Sequence, residues 1–251
     1  MKGVTNFRDL GGIAAADGRR IRPGMLLRAA APAYTAKAEV EAIAALGVRL
    51  ICDFRSDSER PNDPAVWARE LGIDYFAPNS GRAVGDPLAA LMRATVSTEQ
   101  THALLHDVYR NLPYDQEHSF RQLFARIVEG QAPVLYHCAS GKDRTGVFSA
   151  LLMRLLGIPR AAINTDFERS NEAVEAITAD FKQQPRLEPI WTSPFEVWSP
   201  LMYTRRAWLD TMFETLAEKH GSADGFMQDV LGVGPKEKAA LRELLLERAI
   251  A

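Results

Sequence analysis

Residues 133–157 read PVLYHCASGKDRTGVFSALLMRLLG, and this stretch decides the fold. Its opening, PVLYHC, is a short apolar run of the kind that forms a strand buried on both faces. A polar, glycine-containing loop follows. From DRTG onward the apolar residues recur at helical spacing, and Gly157 ends the run. Strand, tight polar loop and helix form the unit whose ligands bind just beyond the strand's carboxyl end. Successive backbone N–H groups in such a turn make an anion nest, and the positive end of the helix adds to the attraction. Ala139, Ser140, Gly141, Lys142, Asp143 and Arg144 are therefore the expected phosphate cradle. Lys142 and Arg144 bring full charges, and a guanidinium grips two phosphate oxygens at once.

Cys138 lies at the base of that nest. Donors that hold a phosphate also favour the thiolate. A thiolate beside a phosphoryl group is poised to attack phosphorus and form a phosphocysteine. The Thr145 hydroxyl is positioned to help the sulfur leave in a second step. An acid must protonate the leaving oxygen, and the same carboxylate can then activate water.

Working outward, TNFRDLGGIAAADGRRIRPGMLLRAA (residues 5–30) predicts short strands joined by tight turns. TAKAEVEAIAALG (35–47) predicts a helix capped by Thr35, and VRLICDF (48–54) a buried strand. PAVWARELGI (64–73) reads as a helix and DYFAP (74–78) as a strand. DPLAALMRATVSTEQTHALLHDVYRNLP (86–113) reads as a long or broken helix. DQEHSFRQLFARIVEG (115–130) is an amphipathic helix stopped by Gly130, and the chain beyond 157 is mainly helical. Strands alternating with helices predict an α/β fold around a largely parallel sheet flanked by helices. QQPRLEPIWTSPFEVWSP (183–200) interrupts the helical end with prolines and aromatics, as an ordered, irregular excursion.

The chain has 251 residues, 30 basic and 32 acidic side chains and a formal net charge of -2. That length suits one domain, residues 1–251, with a core of its own. No basic run points to nucleic acid, no apolar run is long enough to span a bilayer, and the N-terminus lacks the apolar core of a signal peptide. The expected location is the cytoplasm. Two cysteines make no disulfide framework, and no metal-ligand spacing occurs, so neither a metal nor another cofactor is expected.

The segment Cys138 to Arg144 fits the cysteine-x5-arginine loop of the protein tyrosine phosphatase superfamily. HCASGKDRTG resembles one branch closely, the bacterial tyrosine and lipid phosphatases typified by mycobacterial protein tyrosine phosphatase B. NFRDLGG (6–12) is similar to that branch's N-terminal hallmark, and DFERSNEAV (166–174) to a segment after the loop helix. The resemblance implies a metal-free phosphatase of that fold. It would act on phosphotyrosine, with phosphoserine, phosphothreonine and phosphoinositides as further substrates. It makes Cys138 the nucleophile and Arg144 the phosphate clamp. Lys142 and Asp143 match positions tied to broad substrate range, and His137 would tune the thiol. It also implies a lid, residues 174–203, with Trp191, Phe195 and Trp198 as an apolar wall over the loop.

One departure concerns the acid. Relatives carry an aspartate in a Pro-x-Pro-Asp-like loop where this chain reads NSGRAVGDP (79–87). Asp143 is the favoured acid and Asp86 the second. Other readings stand beside these. Asp143 can cap the helix. Asn6, Arg8 and Asp9 can simply close a turn. Cys52 reads as core, with a reversible Cys52–Cys138 disulfide as a further expectation. Asp53 reads as a loop organiser and the aromatics as plain core. An ATP-type phosphate loop fails, because Tyr136 and Asp143 stand where that motif needs Gly and Ser or Thr. The alternative function is a phosphate-recognising module with weak turnover.

Overall fold

The computed structural model describes residues 4–31, 37–60, 68, 70–78, 97–184 and 187–248. The main sheet holds β1 (Arg8–Asp9), β3 (Leu26–Ala30), β4 (Leu50–Asp53), β5 (Asp74–Phe76) and β6 (Val134–Cys138), in the order β1-β3-β6-β4-β5. The pairs β3–β6, β4–β6 and β4–β5 are parallel, and β1 joins the edge antiparallel. The helices are α1 (Lys37–Ala45), α2 (Thr98–Asp115), α3 (Glu117–Val128), α4 (Asp143–Leu156), α5 (Arg160–Glu168) and α6 (Val174–Lys182). They continue with α7 (Glu188–Trp191), α8 (Phe195–Trp198), α9 (Arg206–His220), α10 (Ala223–Asp229) and α11 (Pro235–Leu245). Among the described residues no helix is long and apolar enough to cross a membrane.

Strand alternation divides the core in two. Leu26, Leu50, Cys52, Val134, Tyr136 and Cys138 face the large helical layer built on α4. Leu27, Ala29, Ile51 and Leu135 face a smaller cluster with Ile43 of α1. α4 is buried almost all round, which places the helix after the phosphate loop at the centre of the molecule. Gly157 closes it at φ 80.

The C-terminal part, read as mainly helical, ends in β7 (Leu246–Arg248), which pairs with β2 (Arg19–Ile21) as a separate ribbon. Its three residues are too short for a period-two signal. The register places Cys52 opposite Tyr136, so Cys138 is two residues along the neighbouring strand. That diagonal is about 8 Å between Cα atoms, beyond the roughly 7 Å limit for a bridge, and the Cys52–Cys138 disulfide is withdrawn. The 86–113 helix is described from Thr98. Thr35, Asp86 and residues 64–67 and 69 of the 64–73 helix lie outside the described residues.

Candidate active site

β6 delivers Cys138, 1% exposed, to its carboxyl end. The loop that follows turns its carbonyls to the rear. Ala31 N–H donates to the Ala139 carbonyl at 3.2 Å, Asn6 Nδ2 to that of Ser140 at 3.0 Å and Arg28 Nη2 to that of Gly141 at 2.8 Å. Gly146 N–H donates to Lys142 O at 2.9 Å within the helix. Three successive loop carbonyls are thus tied to residues outside the loop and the fourth to the first turn of α4, an arrangement compatible with an anion nest at the helix N-terminus. Gly141 has φ 65, and a Cβ there would lie 2.2 Å from the Ala29 carbonyl oxygen. Conformation and close approach both require glycine.

The rear anchors belong to one buried network. The Asp166 carboxylate takes Arg8 Nε at 2.7 Å on one oxygen and Arg28 Nη1 at 2.6 Å on the other. Burial alone would raise its pKa, but the two guanidiniums hold it below the ordinary carboxylate value. Arg8 also donates to the Asp166 carbonyl, to Ser170 Oγ and to Asn6 Oδ1. Asn6 sits at φ 55, a left-handed conformation that asparagine tolerates. NFRDLGG and DFERSN, distant in sequence, thus meet behind the loop. Asp9 alone closes a turn, accepting from Gly11 and Gly24 N–H.

Arg144 starts α4 and reaches across to the loop after β4. Its Nη1 and Nη2 donate to the two carboxylate oxygens of Glu59 at 2.7 and 2.8 Å, and Nη1 also to Phe54 O. Burial opposes ionisation of Glu59, yet Arg144 and Ser56 hold its pKa down to about 2. Glu59 takes the Nη1/Nη2 edge of the guanidinium. The Nε–H and the second Nη2–H share the other edge, the one suited to two phosphoryl oxygens.

Lys142 is 3% exposed. Its ammonium donates to Leu201 O at 2.8 Å, Tyr203 O at 3.3 Å and Asp143 Oδ1 at 3.0 Å, so its three protons are committed to the 199–203 segment and to the Asp143 carboxylate. Asp143 Oδ1 also accepts from the Tyr109 hydroxyl. Asp143 is the first residue of α4 and Lys142 occupies the cap position, so the Asp143 side chain does not cap the helix. Thr145 Oγ1 is buried with no hydrogen-bond partner in the structure, and so is not bonded to the Cys138 sulfur. His137 is buried, and that burial, opposed in part by Asp53, lowers it to about 4, leaving a neutral ring 3.7 Å from Asp53. Asp53 itself is clamped by Arg55 and Tyr75.

Sequence reasoning missed Glu59, Tyr109 and Arg28. Ser56-x-x-Glu59 has the form of a capping box, and the structure forms it; placed at the end of a buried strand, it was a usable signal. Arg28 was visible as a charge inside the apolar run LLRAA, a position that demands a partner. Tyr109 carried no signal beyond its helical apolar face.

The chain matches the model of the tyrosine phosphatase family over residues 1–247. A Cupriavidus necator protein, described as a candidate tyrosine-protein phosphatase, is 32% identical over 92% of this chain and 82% of its own. The triple specificity protein phosphatase PtpB of Mycobacterium tuberculosis is 25% identical over 98% of each chain. Among solved structures, the core catalytic domain of the PP-IP phosphatase SIW14 from S. cerevisiae aligns with 87% of this chain and 94% of its own. That match has 14% identity and a TM-score of 0.38.

Proposed function

The chain belongs to the tyrosine phosphatase family, and on that premise we propose that it hydrolyses phosphotyrosine through a covalent phosphocysteine on Cys138. The sulfur bonds to phosphorus as the ester P–O bond breaks, and the leaving oxygen takes a proton from Asp143. Water then attacks phosphorus and gives a proton to the same carboxylate. The S–P bond breaks, and thiolate and inorganic phosphate are released. The amides of Ala139 to Arg144 and the free edge of Arg144 hold the three phosphoryl oxygens in both steps. Neutral His137 precedes Cys138 in the buried strand.

One observation supports this reading: the carbonyls of Ala139, Ser140 and Gly141 accept hydrogen bonds from residues outside the loop and that of Lys142 from Gly146 within α4, which leaves the loop amides as the candidate donors in front of Cys138. Such a nest recognises the phosphoryl group and not its ester, which supports phosphoserine, phosphothreonine and phosphoinositides as further substrates. The M. tuberculosis relative is described as having triple specificity. The segment around Trp191, Phe195 and Trp198 is read as a lid. It is latched to the loop through Lys142, and Trp198 contacts both other rings at 5.0–5.1 Å.

The test compares wild type with Cys138→Ser and Arg144→Ala on a phosphotyrosine peptide. Cys138→Ser is expected to lose turnover by at least about a thousandfold while keeping phosphate affinity, and Arg144→Ala to lose both. Turnover near wild type in Cys138→Ser overturns the mechanism.

A further inference from the structure

Tyr109 is a buried polar group on α2 that the reaction as described does not use. It is fully buried, yet its hydroxyl ends on a loop carboxylate, Asp143 Oδ1. Its ring is held edge-on by Phe167 of α5 at 5.9 Å and lies 6.4 Å from Trp208 of α9. Phe167 is itself pressed against the start of α4, since a Cβ on Gly146 would come within 2.8 Å of its ring. The phenol is thus fixed by three helices and has little freedom to turn away. Burial, and after it the Asp143 carboxylate, push the Tyr109 pKa well above its ordinary value. The phenol remains a proton donor to Asp143 and does not itself titrate near neutral pH.

The second donor to the same oxygen is Lys142 Nζ, at 3.0 Å. That ammonium is anchored in turn by Leu201 O and Tyr203 O. Both donors converge on Oδ1, from opposite sources: a rigid helix and the 199–203 segment. The Asp143 side chain keeps 27% exposure, so the carboxylate is held at one oxygen and open to solvent overall. A carboxylic acid carries its proton on one oxygen and accepts with the other.

We propose that Tyr109 is a positioning residue for proton transfer: with Lys142 it occupies Oδ1 of Asp143 and so assigns the transferable proton to Oδ2. This rests on the reading of Asp143 as the general acid. Tyr109 touches neither substrate nor sulfur in the scheme; it acts through Asp143 by fixing the carboxyl rotamer. A proton donor out of line by a fraction of an ångström loses much of its effect. The loss is felt only where the leaving group needs the proton.

That dependence supplies a readout that lost packing would not move. Phenyl phosphate has a poor leaving group and p-nitrophenyl phosphate a good one, and both place the same phosphoryl group in the same nest. Asp143→Asn is expected to lower kcat/KM for phenyl phosphate by about a hundredfold or more, and for p-nitrophenyl phosphate by under about tenfold. Tyr109→Phe keeps the ring and removes only the hydroxyl. It is expected to show the same selectivity at reduced size, about tenfold on phenyl phosphate and about twofold or less on p-nitrophenyl phosphate. In the Asp143→Asn background, Tyr109→Phe should add no further selectivity. Equal slowing of both substrates by Tyr109→Phe, with Asp143→Asn still selective, overturns the role of Tyr109. Equal slowing by Asp143→Asn overturns the general-acid reading itself.

Discussion

The phosphate loop is held from two sides by charge clusters of different construction. Behind it, Asp166 is shared by Arg8 and Arg28, with both ion pairs almost fully out of solvent. At its flank, Asp143 is shared by Lys142 and Tyr109 but stays partly exposed. The rear cluster is closed: each carboxylate oxygen has a guanidinium partner at hydrogen-bond distance, so it fixes geometry. The flank cluster is anchored at one carboxylate oxygen and open to solvent, as the proposed proton donor requires. A buried, fully paired carboxylate supports a scaffold, whereas an acid–base catalyst needs one oxygen in reach of substrate and water.

The sharpest way to break this contrast is Asp166→Ala. It leaves two buried guanidiniums without their counter-charge, which costs about 3–5 kcal/mol for a buried pair. It also frees the Gly141 carbonyl anchor. A urea-unfolding midpoint should fall steeply and activity should fall with it. Asp143→Asn should lower the midpoint much less, because the amide oxygen still accepts from Lys142 and Tyr109 and the side chain is partly exposed. Equal destabilisation by the two substitutions would erase the distinction between closed and open clusters.

Acid titration sharpens the same contrast with a smaller effect. Glu59 is held near 2 against an ordinary 4.5, so its contribution to stability is present above pH 4.5 and is lost as pH falls toward 2. His137 is held near 4 against an ordinary 6.5. The unfolded chain therefore binds its proton first, and stability falls as pH drops from 6.5 toward 4. The unfolding midpoint should decline through both windows. Glu59→Gln should flatten the lower one, and a midpoint constant between pH 6.5 and 3 would contradict both assignments. The smallest effect concerns the aromatic segment. Trp198→Ala should raise KM for aryl phosphates by about threefold through lost apolar contact. It should leave KM for a small alkyl phosphate and the melting temperature little changed. A lower melting temperature with unchanged kinetics would make these rings plain core.

Much of this was legible in the sequence because the deciding signals are local. PVLYHC and VRLICDF become parallel strands as apolar runs do, and Gly157 closes α4 where the helical spacing ends. The cradle residues Ala139 to Arg144 are contiguous, so their meeting needed no tertiary knowledge. What failed was long-range. Glu59 reaches Arg144, and Tyr109 reaches Asp143, only after the sheet order brings β4, α2 and α4 to one edge. The Cys52–Cys138 pairing failed for the opposite reason: neighbouring strands were foreseen, but register is set by pairing and put Tyr136 opposite Cys52. NFRDLGG and DFERSN stood out as motifs, while their shared purpose, bolting the loop carbonyls through Arg8 and Asp166, emerges only in three dimensions.

The loop donors are proposed to serve a covalent step on one sulfur, that of Cys138. Rapid acid quenching of wild-type enzyme turning over p-nitrophenyl phosphate, followed by peptide mass mapping, tests it most directly. One phosphoryl group is expected on the peptide containing Cys138, absent in Cys138→Ser and more abundant in Asp143→Asn, where water activation is slowed. Turnover at the wild-type rate with no phosphoryl group on Cys138 at any quench time, or with the label on another residue, would contradict it.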